Sequence, residues 1–322
     1  MKLAYMRGLH AICCFLFLLP CVSAQTVDTA VAENADEQYP RSIIRVASTL
    51  VSVPVSVADA SGQKISDLKV ENFRLAEDGR QAEIFRLVVD NSRLNIALLF
   101  DVSGSVNHNF EFEQNAAIDF LKKVWKDGDT VSIISFDDHP DVLLKSSDNL
   151  QEAMWTLRQV RPTGKTTAFF DAVTLASKIL EQSASEGTRQ ALIVISDGAN
   201  NMGGGSLAST LSEMQRRDAV FYAINPTNAA IVRLNLVIKK GQENLTTLAD
   251  ATGGAVFISD EPRDLDGIFN KIMIELRAQY LLLYYSLIRE MDGKFHTIEV
   301  SVPGRPELSV RARTGFLAVT RN

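Results

Sequence analysis

Five oxygen-bearing side chains stand out when the 322-residue chain is scanned for groups that could do chemistry. Asp101, Ser103 and Ser105 fall in D-x-S-x-S spacing within "DVSGSV". Asp197 follows the apolar run "ALIVIS", and Thr167 lies in "RPTGKTTAFFDAV", just ahead of a helical pattern. Two carboxylates and three hydroxyls are hard donors. With no His or Cys among them, they suit Mg²⁺, Mn²⁺ or Ca²⁺ over zinc. Neutral hydroxyls dilute the negative charge, so a bound cation stays electrophilic, and a coordination position left to water can accept a carboxylate from another protein.

The same stretch contains Gly164-Lys165-Thr166, which invites a nucleotide-binding reading. A P-loop needs G-x-x-x-x-G-K-[ST] so that successive backbone N–H groups wrap a phosphate. The position of the first glycine is Gln159, so the motif fails and Lys165 reads as a solvated loop residue.

The elements that must position these residues alternate along the chain. "LNIALLF" is continuously apolar, as befits a strand buried on both faces of a parallel sheet, and "TVSIISF", "ALIVIS", "AVFYAI" and "AVFI" repeat the pattern. Between them lie helical patterns: "FEFEQNAAIDFLKKVW", the face Ala172, Leu175, Ala176, Ile179 and Leu180, "LASTLSEMQRR", "ENLTTLADATGG", and Leu265, Ile268, Phe269, Ile272 and Leu276. Such alternation predicts a doubly wound α/β domain with an open, mostly parallel sheet, in which ligands bind outside the carboxyl ends of the strands. Asp101 and Asp197 both sit at such ends.

D-x-S-x-S, the downstream "TAFFDA" and the apolar strand ending in Ser196-Asp197-Gly198 together resemble a von Willebrand factor type A domain over about residues 94–280. "LADATGGAVF" resembles that family's penultimate helix-to-strand passage. The resemblance implies the α/β fold above and a metal-ion-dependent adhesion site, with Asp101, Ser103 and Ser105 in its first loop, Thr167 in its second and Asp197 in its third. Thr167 is preferred to Thr166 because the family pattern places the threonine four residues before an aspartate, here Asp171. The flanking segments resemble an exported bacterial subgroup of type A proteins of the acidobacterial kind.

Those flanks read as β. Val51, Val53, Val55 and Val57 alternate with Ser52, Pro54 and Ser56, a half-buried strand that Pro54 would put at a sheet edge or bulge. Asp78-Gly79 signals a hairpin between two strands, while "YLLLYYSL", "HTIEVSV" and "ELSVRAR" return to strand character near the C-terminus. Residues 42–93 and 280–318 are therefore expected to build one small β module, with the type A domain, 94–279, inserted between its halves. Residues 1–24 carry Lys2 and Arg7, an apolar core and "VSA" before Gln25, the order of a secretory signal peptide. A polar leader follows over 25–41. The expected location is outside the cytoplasm, periplasmic or secreted. All three cysteines (Cys13, Cys14, Cys21) lie in the signal segment, leaving the mature chain neither disulfides nor a thiolate site.

Without Lys2 and Arg7 the chain has 31 basic and 39 acidic residues, a net charge of −8, and no basic cluster with interleaved aromatics; nucleic acid is a poor partner. Beyond the signal segment no run approaches the ~20 apolar residues of a membrane span. Asp137 and Asp138 in "FDDHP" could also reach the metal but read rather as solvated loop residues, and His108 and His139 as surface residues. The leading expectation is a binding module, not an enzyme, holding a divalent cation against an Asp or Glu of a protein partner. A metal-dependent hydrolase or phosphatase on the same edge is the rival, and a metal-free scaffold the third reading. A haloacid-dehalogenase-type phosphatase needs a second Asp where Ser103 stands, and a serine hydrolase needs a G-x-S-x-G that neither "DVSGS" nor "SGSVN" provides.

Overall fold

Valines at every second position make β1 (Leu50–Ala58), whose Val51, Val53, Val55 and Val57 all turn into the core. The computed structural model describes residues 49–88, 93–103, 110–164, 166–184, 188–288 and 291–319. The expectations for residues 1–41, Ser105, His108 and Lys165 fall outside them. β2 (Arg74–Glu77) and β3 (Arg80–Ala82) form a hairpin whose turn puts Asp78 at φ 49° and Gly79 at φ 73°. Two left-handed residues match the right-handed twist of the strands, which is why Asp-Gly suits the turn. The second strand expected here divides at Glu83: β4 (Ile84–Val88) leaves β3 and joins a different sheet.

The central domain follows. β5 (Leu94–Asp101), α1 (Phe110–Val124) and β6 (Thr130–Phe136) lead to β7 (Pro140–Ser147), α2 (Leu150–Gln159) and α3 (Phe169–Gln182). β8 (Arg189–Ile195), α4 (Leu207–Gln215), β9 (Val220–Asn225), α5 (Ala229–Leu234), α6 (Leu236–Thr252), β10 (Ala255–Ile258) and α7 (Leu265–Ala278) complete it. Strands and helices alternate except at β6–β7, α2–α3 and α5–α6. The sheet order is β10-β9-β8-β5-β6-β7, parallel except for the antiparallel edge strand β7. The fold is thus the doubly wound α/β class. Alternate residues of β5 serve the two faces: Leu94, Ile96, Leu98 and Phe100 pack with α1, α2 and α7, while Ala97 and Leu99 pack with α3, α4 and α6. The chain starts at the centre with β5, runs outward to β7, then crosses to β8 on the other side. The switch point lies between β5 and β8, where the crevice for a ligand opens.

β11 (Tyr280–Tyr285), β12 (Phe295–Ser301), β13 (Ser309–Ala312) and β14 (Gly315–Leu317) then return to the N-terminal strands. One four-stranded sheet has the order β13-β1-β11-β4, the other β14-β12-β2-β3, and both contribute to a single core that includes Val53, Tyr280, Tyr284, Phe73, Leu75 and Ile298. β1 is therefore interior in its sheet, contrary to the edge position that Pro54 suggested. Proline is tolerated because pairing with β13 begins only at Val55↔Ala312, so at Pro54 the strand has β11 alone beside it. Arg313, paired with Asp218 at 2.7 Å, ties this assembly to the α/β domain.

β1 and β4 are joined only through β11, and the β2–β3 hairpin meets the rest of its sheet only through β12. A fragment of residues 49–88 is accordingly expected to show no cooperative unfolding transition, whereas residues 94–279 should fold, because an isolated hairpin is marginal in water. Circular dichroism on the two fragments checks this; a cooperative transition in the first would refute the dependence.

Candidate functional site

Three loops meet at the switch point, and main-chain hydrogen bonds fix their order. Asp101 ends β5. The next residue, Val102, donates its N–H to Phe136 O (3.0 Å) and accepts from both the N–H (2.7 Å) and hydroxyl (3.0 Å) of Thr163, which ties the second loop to the first. The second and third loops are stitched together at Thr167. Its N–H donates to Asn201 Oδ1 (2.7 Å), and its carbonyl accepts from the N–H groups of Asn201 and Met202 (3.1 Å each). Asn200 caps the start of α3 by accepting from Phe170 N–H (3.1 Å), and Asp171 accepts from Gly204 N–H (3.0 Å). Asp171 is thus the anchor that holds the glycine-rich part of the third loop against α3.

Of the two threonines, the structure buries Thr167, 3% exposed, and leaves Thr166 exposed. Asp101, Ser103 and Asp197 are buried as well. Asp101 accepts from Ser103 N–H (3.0 Å) through Oδ1 and from the Ser196 hydroxyl (2.7 Å) through Oδ2; Ser196 in turn accepts from Gly198 N–H (3.1 Å). Asp197 accepts from Ala199 N–H (2.9 Å). Burial pushes the Asp101 carboxyl up to about 6 against the pull of the Ser103 and Ser196 hydroxyls, and the charge of Asp197 adds to the rise. Burial also raises Asp197, which only the Ala199 N–H offsets. No cationic side chain among the described residues contributes to either shift. Two buried carboxylates at neighbouring strand ends, with the Ser103 hydroxyl bonded to Asp101 and the buried Thr167 on the adjoining loop, are a donor set that suits a hard dication.

The sequence assigns no role to Ser196, although it stands in the motif with Asp197, nor to Asn200 and Asn201, although all three lie in the "SDGANN" run that follows β8. Asp137 departs from the sequence expectation. Far from solvated, Asp137 is buried in the β6–β7 turn, and its carbonyl accepts from Ala168 N–H at 2.5 Å, beneath the Thr167 loop. Asp138 and Asp141 flank an exposed His139 at 2.6 and 3.3 Å and raise its pKa.

A second cluster, Glu77, Asp78 and His296, lies in the β strands outside the α/β domain. Its atoms are engaged structurally: Glu77 accepts from Tyr284 Oη (2.7 Å), Ser286 Oγ (3.0 Å) and Leu287 N–H (3.1 Å), while His296 bridges Asp78 (2.7 Å) and Asp292 (3.0 Å). Burial of the His296 ring opposes its charge, but the two carboxylates outweigh it and raise its pKa above 6.5. A raised histidine stabilises the fold fully below its unfolded pKa and loses that contribution as pH rises through the folded value. Asp78 and Asp292, both lowered mainly by bonding to His296, lose theirs as pH falls through their folded values, below 3.8. The unfolding temperature should therefore fall on going from pH 6 to pH 8, and less so in His296→Gln. Equal slopes in a thermal denaturation series would refute the bridge.

Residues 96–200 match the family model described as von Willebrand factor type A domain. Complement factor B of Bos taurus is 29% identical over 178 residues, 49% of this chain and 23% of that protein, so the chain spans about a quarter of that relative's length. Proximal thread matrix protein 1 from the mussel byssus superposes with a TM-score of 0.50 at 21% identity, covering 62% of this chain and 51% of that one. A von Willebrand factor type A structure from Catenulispora acidiphila gives a TM-score of 0.49 at 13% identity over 76% of this chain and 71% of that chain. Residues 96–200, which run from β5 through β8 and carry the three loops gathered at the switch point, are thus similar to a von Willebrand factor type A domain.

Proposed function

We propose that this edge is a metal-ion-dependent adhesion site and that the protein is an exported binding module rather than an enzyme. Asp101, Ser103, Ser105, Thr167 and Asp197 would hold Mg²⁺, or Mn²⁺ or Ca²⁺ in its place, and the bound cation would supply a Lewis-acidic position for an Asp or Glu carboxylate of a protein partner. The observation that carries the reading is the pair of buried carboxylates, Asp101 and Asp197, raised by burial with no cation to offset them, at the switch point of the sheet. The chain's own contribution is rigidity. Ser196 and Ser103 orient Asp101, Asn201 and Met202 lock the backbone of Thr167, and Asp171 holds the third loop, so few groups need ordering when a ligand arrives.

Export rests on the order of charge, apolar core and small residues before Gln25, together with the resemblance of the flanks to an exported subgroup. Among the described residues no helix is long and apolar enough to cross a membrane. The test starts from the periplasmic or secreted fraction, where Gln25 is expected as first residue. Immobilised protein should retain a partner in Mg²⁺ and release it to a chelator, and Asp101→Ala should retain nothing. Retention indifferent to chelator would count against the reading, and so would turnover of phosphate or carboxylic esters.

A further inference from the structure

The inward face of α1 carries Phe110, Glu113, Ala117, Phe120, Leu121 and Val124, at the three- and four-residue spacing of a buried stripe. Every member except Glu113 is apolar. Glu113 is 1% exposed, and neither of its carboxylate oxygens has a hydrogen-bond partner among the described residues. Its place in the fold is near the metal edge. The ring of Phe110 meets that of Phe100 at 6.4 Å, and Phe100 directly precedes Asp101, so the first turn of α1 lies over the end of β5. Burial first, and then the negative charge of Asp101, push the Glu113 carboxyl up to about 8. An unpaired carboxylate in an apolar layer opposes folding, and an apolar or amide side chain would fill the same volume at less cost.

We infer that Glu113 is a third acidic member of the cation site, placed behind Asp101 to accept hydrogen bonds from water held on the cation and so to set how tightly the site keeps its metal. This rests on the metal-site reading above. Asp101, Asp197 and Glu113 are not all within 4.8 Å of one another, so the three carboxylates do not form one close ligand cluster, and Glu113 is assigned the outer place because it comes from the helix rather than from the strand-end loops. It is a positioning residue: it supplies an acceptor, charged once the cation is present, for the cation's water without touching a partner. Outer partners of this kind change metal affinity by about 10- to 100-fold when removed.

The test is a Mn²⁺ titration of the full chain, followed by the paramagnetic resonance of free Mn²⁺ and by water-proton relaxation. Glu113→Gln should bind Mn²⁺ roughly tenfold more weakly, with altered relaxation per bound ion and an unfolding temperature without metal no lower than wild type. Glu113→Asp, which keeps the charge, should recover part of the affinity. Wild-type Mn²⁺ affinity in Glu113→Gln, alongside loss of binding in Asp101→Ala, would overturn the role of Glu113 while leaving the metal site standing. Binding that survives Asp101→Ala would instead remove the site itself. A Glu113→Gln protein that fails to fold would also overturn the inference, because a charge that serves only the metal must be dispensable to the metal-free fold.

Discussion

Addition of Mg²⁺ or Mn²⁺ is expected to raise the unfolding temperature of the wild-type protein, and Asp101→Ala is expected to abolish that rise without unfolding the protein. A ligand at ~100 times its dissociation constant adds about 2.7 kcal/mol to a native state that alone binds it. For a domain the size of residues 94–279 each 1 kcal/mol moves the midpoint by roughly 2–4 °C, so the shift should be about 5–10 °C if that domain unfolds as the unit. Asp101 is one of two carboxylates in the proposed ligand set, and its removal takes away half of that set's formal charge. The metal-free fold should tolerate the loss. The folded pKa of Asp101, about 6, stands above its unfolded 3.8. Its ionisation therefore opposes folding progressively as pH rises between those values, and fully at neutral pH. Alanine relieves that opposition while giving up the bonds from Ser103 and Ser196, and the two effects offset one another. Because Thr167 is buried between the second and third loops and Thr166 is exposed, Thr167→Val should weaken the metal response more than Thr166→Val. A wild type indifferent to metal, or a larger effect at Thr166, would contradict the ligand assignment.

The parts of this fold legible in the sequence are those where one physical requirement dominates. Strands buried on both faces must be apolar throughout, so β5, β6, β8 and β9 announce themselves, and the positive φ values that the hairpin turn demands make Asp78-Gly79 readable. β7 was not legible. Its residues are mostly exposed or half-buried, it begins with a proline, and its pairing to β6 is broken by register shifts, so neither alternation nor a continuous apolar run survives. α2 escaped for a related reason, since its buried stripe of Ala153, Met154, Thr156 and Leu157 is short and interrupted by the exposed Trp155. At the site, D-x-S-x-S and Asp197 were visible because their types and spacing carry the chemistry. Glu113 was not, because a glutamate at a helical position reads as a solvated face until the tertiary structure turns it inward.

Gly241→Ala is expected to lower stability and blunt the metal response together, although helix propensity argues the opposite. Gly241 lies inside α6, where alanine would ordinarily gain about 0.5–1 kcal/mol. Here a Cβ would press on the carbonyl oxygen of Asp197 and sit 2.8 Å from Ala199 N and 2.9 Å from the Gly198 carbonyl carbon. All three are backbone atoms that cannot rotate away, and overpacking of this kind costs about 1–3 kcal/mol. The clash therefore outweighs the propensity. Either α6 or the 197–199 loop must move. α6 is held by Leu245, Leu248 and Ala249 in the core and by the Asn244 side-chain amide on Gly198 O at 3.2 Å, so the strain falls on the loop that carries Asp197. The matched control is Gly267→Ala in α7, where a Cβ meets nothing within 4 Å and the midpoint should stay or rise. Thermal denaturation of both variants with and without Mg²⁺ separates the cases. Unchanged stability and a full metal response in Gly241→Ala would mean that α6 does not fix the position of Asp197.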